Sequence, residues 1–286
     1  MHRYEAYHRM LDRATSKRGV ALMGVCNVTP DSFSDAGRYF TFETARARAI
    51  DLVERGADVV DVGGESTRPG ATAVPAVEQL RRIVEVVRDA ASRQTCVSVD
   101  TGNPEVAAAC LEAGACVVND ASFLRDDSLA EVVASARAAL VLMHTRGTPA
   151  QMAGFGKYPE EGYGDVVADV CREWEAAAAR ARSAGVRPDA IAMDPGLGFA
   201  KSARQSFELL RRIGEIVRAV AVPVVIGASR KSFLTIADAG ASPEQRLGAS
   251  LGAALHAARA GVRVLRVHDV GETRQAIDFD RALRGT

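Results

Sequence analysis

The fold is decided by residues 43–70, ETARARAIDLVERGADVVDVGGESTRPG. Up to Arg55 the apolar residues recur at three- and four-residue spacing, the period of an amphipathic helix. Gly56 then stands where a helix C-cap needs positive φ. A short β-branched run follows over 58–62, carrying Asp61 near its end, and breaks into the polar loop GGESTRPG. Helix, glycine, apolar run and polar loop together make one unit, and the rest of the chain repeats it.

Apolar runs occur over 21–26, 58–62, 96–99, 115–118, 140–143, 191–193, 223–226 and 262–267. Between and after them, helical spacing covers 43–55, 75–91, 104–113, 128–138, 162–184, 205–219, 243–260 and 273–284. Gly114, Gly185 and Gly261 repeat the punctuation of Gly56. Uniform β-α alternation implies a parallel sheet, and strands without regular polar alternation imply that both faces are covered. Eight units predict one closed (β/α)8 TIM barrel over 18–286, with residues 1–17 as an N-terminal addition.

The chain has 286 residues, 36 Lys+Arg against 36 Asp+Glu, and a hydrophobic share of 48%. That is enough for a large core, and the balanced charge lacks the excess that drives binding to nucleic acid or anionic membranes. There is no apolar stretch of signal-peptide or membrane-spanning length, so a cytoplasmic protein is expected. Five cysteines without a CxxC pair are expected to be reduced thiols.

In such barrels the chemistry gathers at the C-terminal ends of the strands. Here those ends read Asn27, Asp61, Asp100, Asn119-Asp120, His144, Asp194, Ser229-Arg230-Lys231, and Arg266 with His268. Asp100, Asn119 and Asp194 are the acceptors and amide that would read a heterocycle displaying amino and ring N–H groups. Arg68, Arg266, His268 and Lys231 supply cations for an anionic end of the same ligand. Asn27, with nearby carboxylates, suits Mg²⁺, which takes few protein oxygens and keeps waters and phosphates as its other ligands. The glycine-rich PGLGFAK (195–201) lacks the third Gly of a dinucleotide fingerprint and the Gly-Lys-Ser/Thr of a P-loop. Its Gly196 and Gly198 allow close backbone approach, and Phe199 offers a flat face.

Eight motifs in order carry a family resemblance: NVTPDSFSDAG (27–37), DVGGESTRPGA (61–71), SVDT (98–101), Asn119-Asp120, MHTRGTPAQM (143–152), DPGLGFAK (194–201), GASRKSFL (227–234) and RVHDV (266–270). Over about residues 20–284 the chain resembles the dihydropteroate synthases of folate biosynthesis. The resemblance implies condensation of hydroxymethyl-dihydropterin diphosphate with p-aminobenzoate, with Mg²⁺ as cofactor, in a homodimer that touches neither nucleic acid nor membrane. It places pterin binding on Asp100, Asn119, Asp194 and Lys231. Diphosphate and Mg²⁺ fall on Asn27, Arg68, Arg266 and His268, and the p-aminobenzoate pocket on Thr67, Pro69, Phe199 and Ser229. Asp31 and Phe33 lie in a first loop that closes over the substrates, and catalysis is expected of Asp100, Lys231 and Asp31. A pterin-dependent methyltransferase lacks the TPDSF and SRKSFL loops that this chain has. A non-catalytic paralogue is the other alternative, resting on the departures from the family pattern at Phe123 and Ser206; Ala36 and the conservative Leu197 are further departures. Individually, His144 is expected to orient the fifth loop, Arg230 to form a structural ion pair, Trp174 to pack, and His8 to be solvated.

Overall fold

The computed structural model describes residues 3–29, 42–66, 72–147 and 157–285. The chain opens with helix α1 (Arg3–Arg18) and strand β1 (Ala21–Asn27). It continues through α2 (Phe42–Glu54), β2 (Val59–Gly63), α3 (Ala76–Ser92), β3 (Cys96–Asp100), α4 (Pro104–Glu112), β4 (Val117–Asp120), α5 (Ser128–Ser135) and β5 (Ala139–Met143). The second half holds α6 (Val166–Ser183), β6 (Ile191–Asp194), α7 (Ala203–Arg211), α8 (Ile213–Ala219), β7 (Val225–Ile226), α9 (Leu247–Arg259), β8 (Val264–Val267) and α10 (Val270–Arg284). All strand pairs are parallel, in the spatial order β6-β5-β4-β3-β2-β1-β8-β7. A single bridge between Met193 and Val224, with the Met193 N–H donating to the Pro223 carbonyl at 2.9 Å, closes β6 onto β7. The result is a nearly closed TIM barrel, as the unit count predicts. No helix among the described residues is long and apolar enough to cross a membrane.

The sequence punctuation works as read: Gly56, Gly114, Gly185 and Gly261 have φ of 107°, 116°, 98° and 93°, a region that costs other L-residues energy. Several element ends shift by a few residues from the predicted ranges, and two of the differences alter an element. The predicted helix 205–219 is two helices, because Arg212 (φ −99°, ψ 17°) leaves the helical region and ends α7 before α8 begins. The predicted seventh strand shortens to two residues, with Val224 outside it, bridged to Met193 and accepting from Arg263 N at 3.0 Å and Val264 N at 3.2 Å.

The N-terminal stretch is structural. Helix α1 buries Tyr7, Met10, Leu11 and Ala14 in one cluster with Met23, Val59, Val117, Val141, Ala192 and Val264 from the strands. These strand residues line the lower barrel interior, so α1 stoppers its N-terminal end. Each such apolar side chain contributes about 1.5–3 kcal/mol on burial. Arg18, at the end of α1, pairs with Asp58, whose Oδ2 also accepts the Leu22 N–H at 2.9 Å. His8 is half-buried with its Nε2 enclosed, rather than solvated, because it sits on this docked helix.

The second apolar cluster fills the layer between strands and outer helices. It includes Trp174, 1% exposed, which packs as expected and donates its Nε1–H to the Leu142 carbonyl at 3.0 Å. All five cysteines are unpaired, and burial pushes the Cys26 and Cys110 thiols up to about 12.

Candidate active site

Residues two apart on a strand face the same way. Moving up the barrel, this rule takes Val59 to Asp61, Val117 to Asn119, Ala192 to Asp194 and Val264 to Arg266. The lower members belong to the cluster sealed by α1, and the upper ones are buried polar residues or, for Arg266, largely buried. The barrel interior therefore changes from apolar floor to charged mouth within one residue pair on each strand. Register sets Asp100 beside Asn119 and Gly63 beside Asp100, with Asp61 one layer deeper beside Ser98.

One guanidinium organises this layer. Arg266 Nε donates to Asp61 Oδ2 at 2.7 Å and its Nη2 to Asp100 Oδ2 at 2.7 Å, while Asn119 Nδ2 donates to Asp61 Oδ2 at 3.1 Å. Burial alone would lower the Arg266 pKa, but Asp61 and Asp100 more than offset it and hold the cation. For Asp100 the balance is reversed: burial pushes its carboxyl up to about 7, although Arg266 pulls it down, and Asp61, Asp120 and Glu65 add to the rise. Asp61 Oδ1 and Asp100 Oδ1 are buried and have no hydrogen-bond partner among the described residues. Asn119 uses one Nδ2–H on Asp61, which turns its Oδ1 and second N–H to the ligand side.

The loop after β6 makes the facing wall. Asp194 Oδ1 accepts the Gly196 N–H at 2.7 Å, and burial raises its carboxyl pKa against the pull of Lys231. Lys231 Nζ donates to the Leu197 carbonyl at 2.6 Å and lies 4.7 Å from the centre of the Phe199 ring. Burial brings Lys231 down to about 8. Gly196 has φ 69°, and a Cβ there would fall 1.9 Å from the His144 carbonyl oxygen, so this turn needs glycine. On the other rim, Ser229 Oγ lies 3.1 Å from His268 Nδ1. A cavity of about 490 Å³ is lined by Asn27, Arg48, Arg230, His268, Asp269 and Glu272, and by none of Asp61, Asp100, Asn119 and Asp194.

Asn27, Asp100, Asn119, Asp194, Phe199, Ser229, Lys231, Arg266 and His268 all lie at this C-terminal mouth. Asp31, Phe33, Thr67, Arg68 and Pro69 lie outside the described residues. One expectation is corrected: His268 is not a resident cation, because burial and the neighbouring Arg266 and Arg230 bring its pKa down to about 3. Arg230 forms the structural ion pair expected of it, its Nε donating to Asp269 Oδ2 at 3.0 Å. Phe123 does not disrupt the fourth loop. It adopts φ 64° and Leu124 φ 48°, while Asp120 accepts from Ser122 N (2.7 Å), Ser122 Oγ (2.6 Å) and Leu124 N (2.6 Å). Ser206 is also accommodated, accepting the Gly198 N–H at 3.0 Å and donating to the Ser202 carbonyl at 2.8 Å. Glu65 braces its own loop, accepting Val74 N at 2.8 Å.

Sequence reasoning did not single out Asp61 as the hub, nor Lys201 and Glu173. Asp61 carries a signal, a lone carboxylate in a β-branched run, and so does Lys201, a charge closing a glycine-apolar loop. Glu173 carries none, since it is one of many charges on a long helix.

A barrel mouth with inward carboxylates, an amide and paired cations is the site of an enzyme that handles a flat polar ring beside an anion. The pterin binding enzyme family matches residues 23–268. The dihydropteroate synthase of Mycobacterium leprae is 44% identical over 257 residues, 88% of this chain and 89% of its own length. A probable bifunctional folylpolyglutamate synthase/dihydropteroate synthase of Haloferax volcanii is 39% identical over 93% of this chain, which spans 31% of that longer protein. The structure of Xanthomonas albilineans dihydropteroate synthase with 4-aminobenzoic acid superposes with a TM-score of 0.85 at 41% identity, covering 93% of this chain and 94% of that one. The chain belongs to the pterin binding enzymes, in the dihydropteroate synthase branch.

Proposed function

We propose that this protein condenses hydroxymethyl-dihydropterin diphosphate with p-aminobenzoate, giving dihydropteroate and pyrophosphate. The observation that carries the reading is the pair of unpartnered buried oxygens, Asp61 Oδ1 and Asp100 Oδ1, at the mouth with Asn119. Buried carboxylate oxygens without donors are costly unless a ligand supplies them. A pterin edge, with amino and ring N–H groups, supplies that pattern, and Asp194 adds a further acceptor.

The chemistry follows from charge. As pyrophosphate leaves the methylene, positive charge spreads into the pterin, and a desolvated Asp100 carboxylate gains more from that charge than it would in water. The aryl amine of p-aminobenzoate then attacks without a strong base, its ring against Phe199 and Ser229. Arg266 bridges Asp61 and Asp100 with one hydrogen bond to each and orients both toward the ring. Among the described residues no cluster of three or more His, Cys, Asp or Glu could hold a metal. The half-buried Asn27 amide oxygen beside the cavity still fits Mg²⁺, which needs few protein ligands. Bound there with diphosphate oxygens and water, Mg²⁺ would take up charge on the leaving group. We further infer a cytoplasmic homodimer, supported by the unpaired cysteines and by Phe207 and Ile236, exposed on units six and seven. Light scattering tests the dimer.

Calorimetry with hydroxymethylpterin tests the pterin reading. Wild type is expected to bind, and Asn119→Leu, which removes the free Oδ1 and the bond to Asp61, to bind at least ~10-fold more weakly. Equal affinity in the two proteins would overturn it.

A further inference from the structure

Lys201 is 1% exposed and lies outside the ligand set; burial brings its pKa down to about 7, and its Nζ is fully partnered. Its Nζ donates to His144 Nδ1 at 3.0 Å, to the Phe199 carbonyl at 3.0 Å and to the His144 carbonyl at 3.3 Å. Three donors therefore meet three acceptors. Since His144 Nδ1 accepts, the neutral ring carries its proton on Nε2, which donates to Glu173 Oε2 at 3.0 Å. Burial, with Lys201 nearby, keeps that ring neutral, its pKa brought down to about 3. Glu173 is in turn held by Arg146, whose Nε donates to Oε2 at 2.9 Å. The chain of donors runs in one direction, from the loop after β6, through the end of β5, to α6.

This chain acts on the wall that faces the carboxylates. The turn at Gly196 presses against the His144 carbonyl, so the 195–200 segment is pinned to β5 there and again at Phe199 through Lys201. On its other side the same segment gives the Leu197 carbonyl to Lys231 and sets the Phe199 ring beneath that ammonium. One segment thus lies between two lysines, one behind it and one in the site.

We propose that Lys201 is a positioning residue: with His144 and Glu173 it fixes the segment that carries the Phe199 ring, so that the aryl-amine substrate meets a preformed face. The inference rests on the proposed condensation. It concerns the p-aminobenzoate side specifically, because Asp61, Asp100 and Asn119 are organised by Arg266 and do not touch this chain. Asp194 faces Lys201 electrostatically from β6, as do Lys231, Arg146 and Glu173, and the Tyr163 ring lies 5.9 Å away.

The test is steady-state kinetics of Lys201→Met, with Lys201→Gln as the conservative variant and amide hydrogen exchange of Gly198 and Phe199 as a readout independent of turnover. Lys201→Met is expected to raise KM for p-aminobenzoate at least ~10-fold, the effect of losing one hydrogen bond to a charged group, with KM for the pterin diphosphate within ~3-fold. Lys201→Gln, which keeps an amide donor, should recover part of the loss, and exchange at Gly198 and Phe199 should quicken in the Met variant. A lower melting temperature with both KM values unchanged, or both KM values rising alike, would overturn the inference. If Lys201→Met does not fold, His144→Leu decides by the same split and the same exchange readout. Absence of product with the wild-type protein would instead strike the proposed condensation, and the exchange comparison would still test the positioning.

Discussion

Replacing Asp100 with Asn separates the two forces that act on that carboxyl. Burial raises its pKa from 3.8 to about 7 and Arg266 opposes the rise. A carboxyl whose pKa is higher in the folded state binds protons more tightly there. It therefore costs stability as pH rises through the window between the unfolded and folded values, and the full cost is present above about pH 7. With these two pKa values, wild type loses about 2–3 kcal/mol between pH 5 and pH 8 relative to a variant that does not titrate at this position. Groups remote from Asp100 titrate alike in both proteins and cancel in the difference. Asp100→Asn also weakens a charge-assisted bond from Arg266, a pH-independent loss of about 1.5–3 kcal/mol. Urea unfolding of both proteins at pH 5, 6, 7 and 8 gives the double difference. The stability of Asp100→Asn relative to wild type is expected to climb by about 1.4 kcal/mol per pH unit up to pH 7, while its turnover collapses. A flat or falling difference would show that Arg266 wins over burial and would refute the reasoning.

Three further outcomes follow from the packing. Leu11→Ala, at a position 2% exposed beneath the barrel floor, is expected to cost about 2–5 kcal/mol in chemical denaturation, as a cavity in a shared core should. Gly196→Ala places a Cβ against the His144 carbonyl at positive φ, so it should cost at least about 2 kcal/mol and lower turnover sharply, read by melting and by kinetics. Asp120→Ala releases the three donors that hold Phe123 and Leu124 in left-handed conformation and should destabilise by about 2–3 kcal/mol; an unchanged midpoint would mean that the fourth loop holds itself.

The barrel was legible because its period and punctuation are local: a helix, a glycine at positive φ and a β-branched run recur, and each glycine can be checked on its own. The polar strand ends were legible for the same reason. What escaped depends on contacts far apart in sequence. Arg266 and Asp61 are 205 residues apart, and nothing in either neighbourhood announces that one guanidinium serves two carboxylates. Helix α1 was set aside because its polar residues mask a four-residue apolar face that matters only once a barrel floor exists to receive it. Phe123 departs from the family pattern in the fourth loop, and Asp120 accommodates it through hydrogen bonds that stabilise a conformation the Phe side chain alone disfavours. For His268 the residue type suggests a cation, whereas its charge is set by burial and by the guanidinium groups beside it.

The most direct test of the account is product formation by the purified protein supplied with hydroxymethyl-dihydropterin diphosphate, p-aminobenzoate and Mg²⁺. Dihydropteroate and pyrophosphate are expected in equal amounts, with turnover lowered by orders of magnitude in a folded Lys231→Ala variant. Pterin binding without any dihydropteroate, or a Lys231→Ala protein as active as wild type, would contradict it.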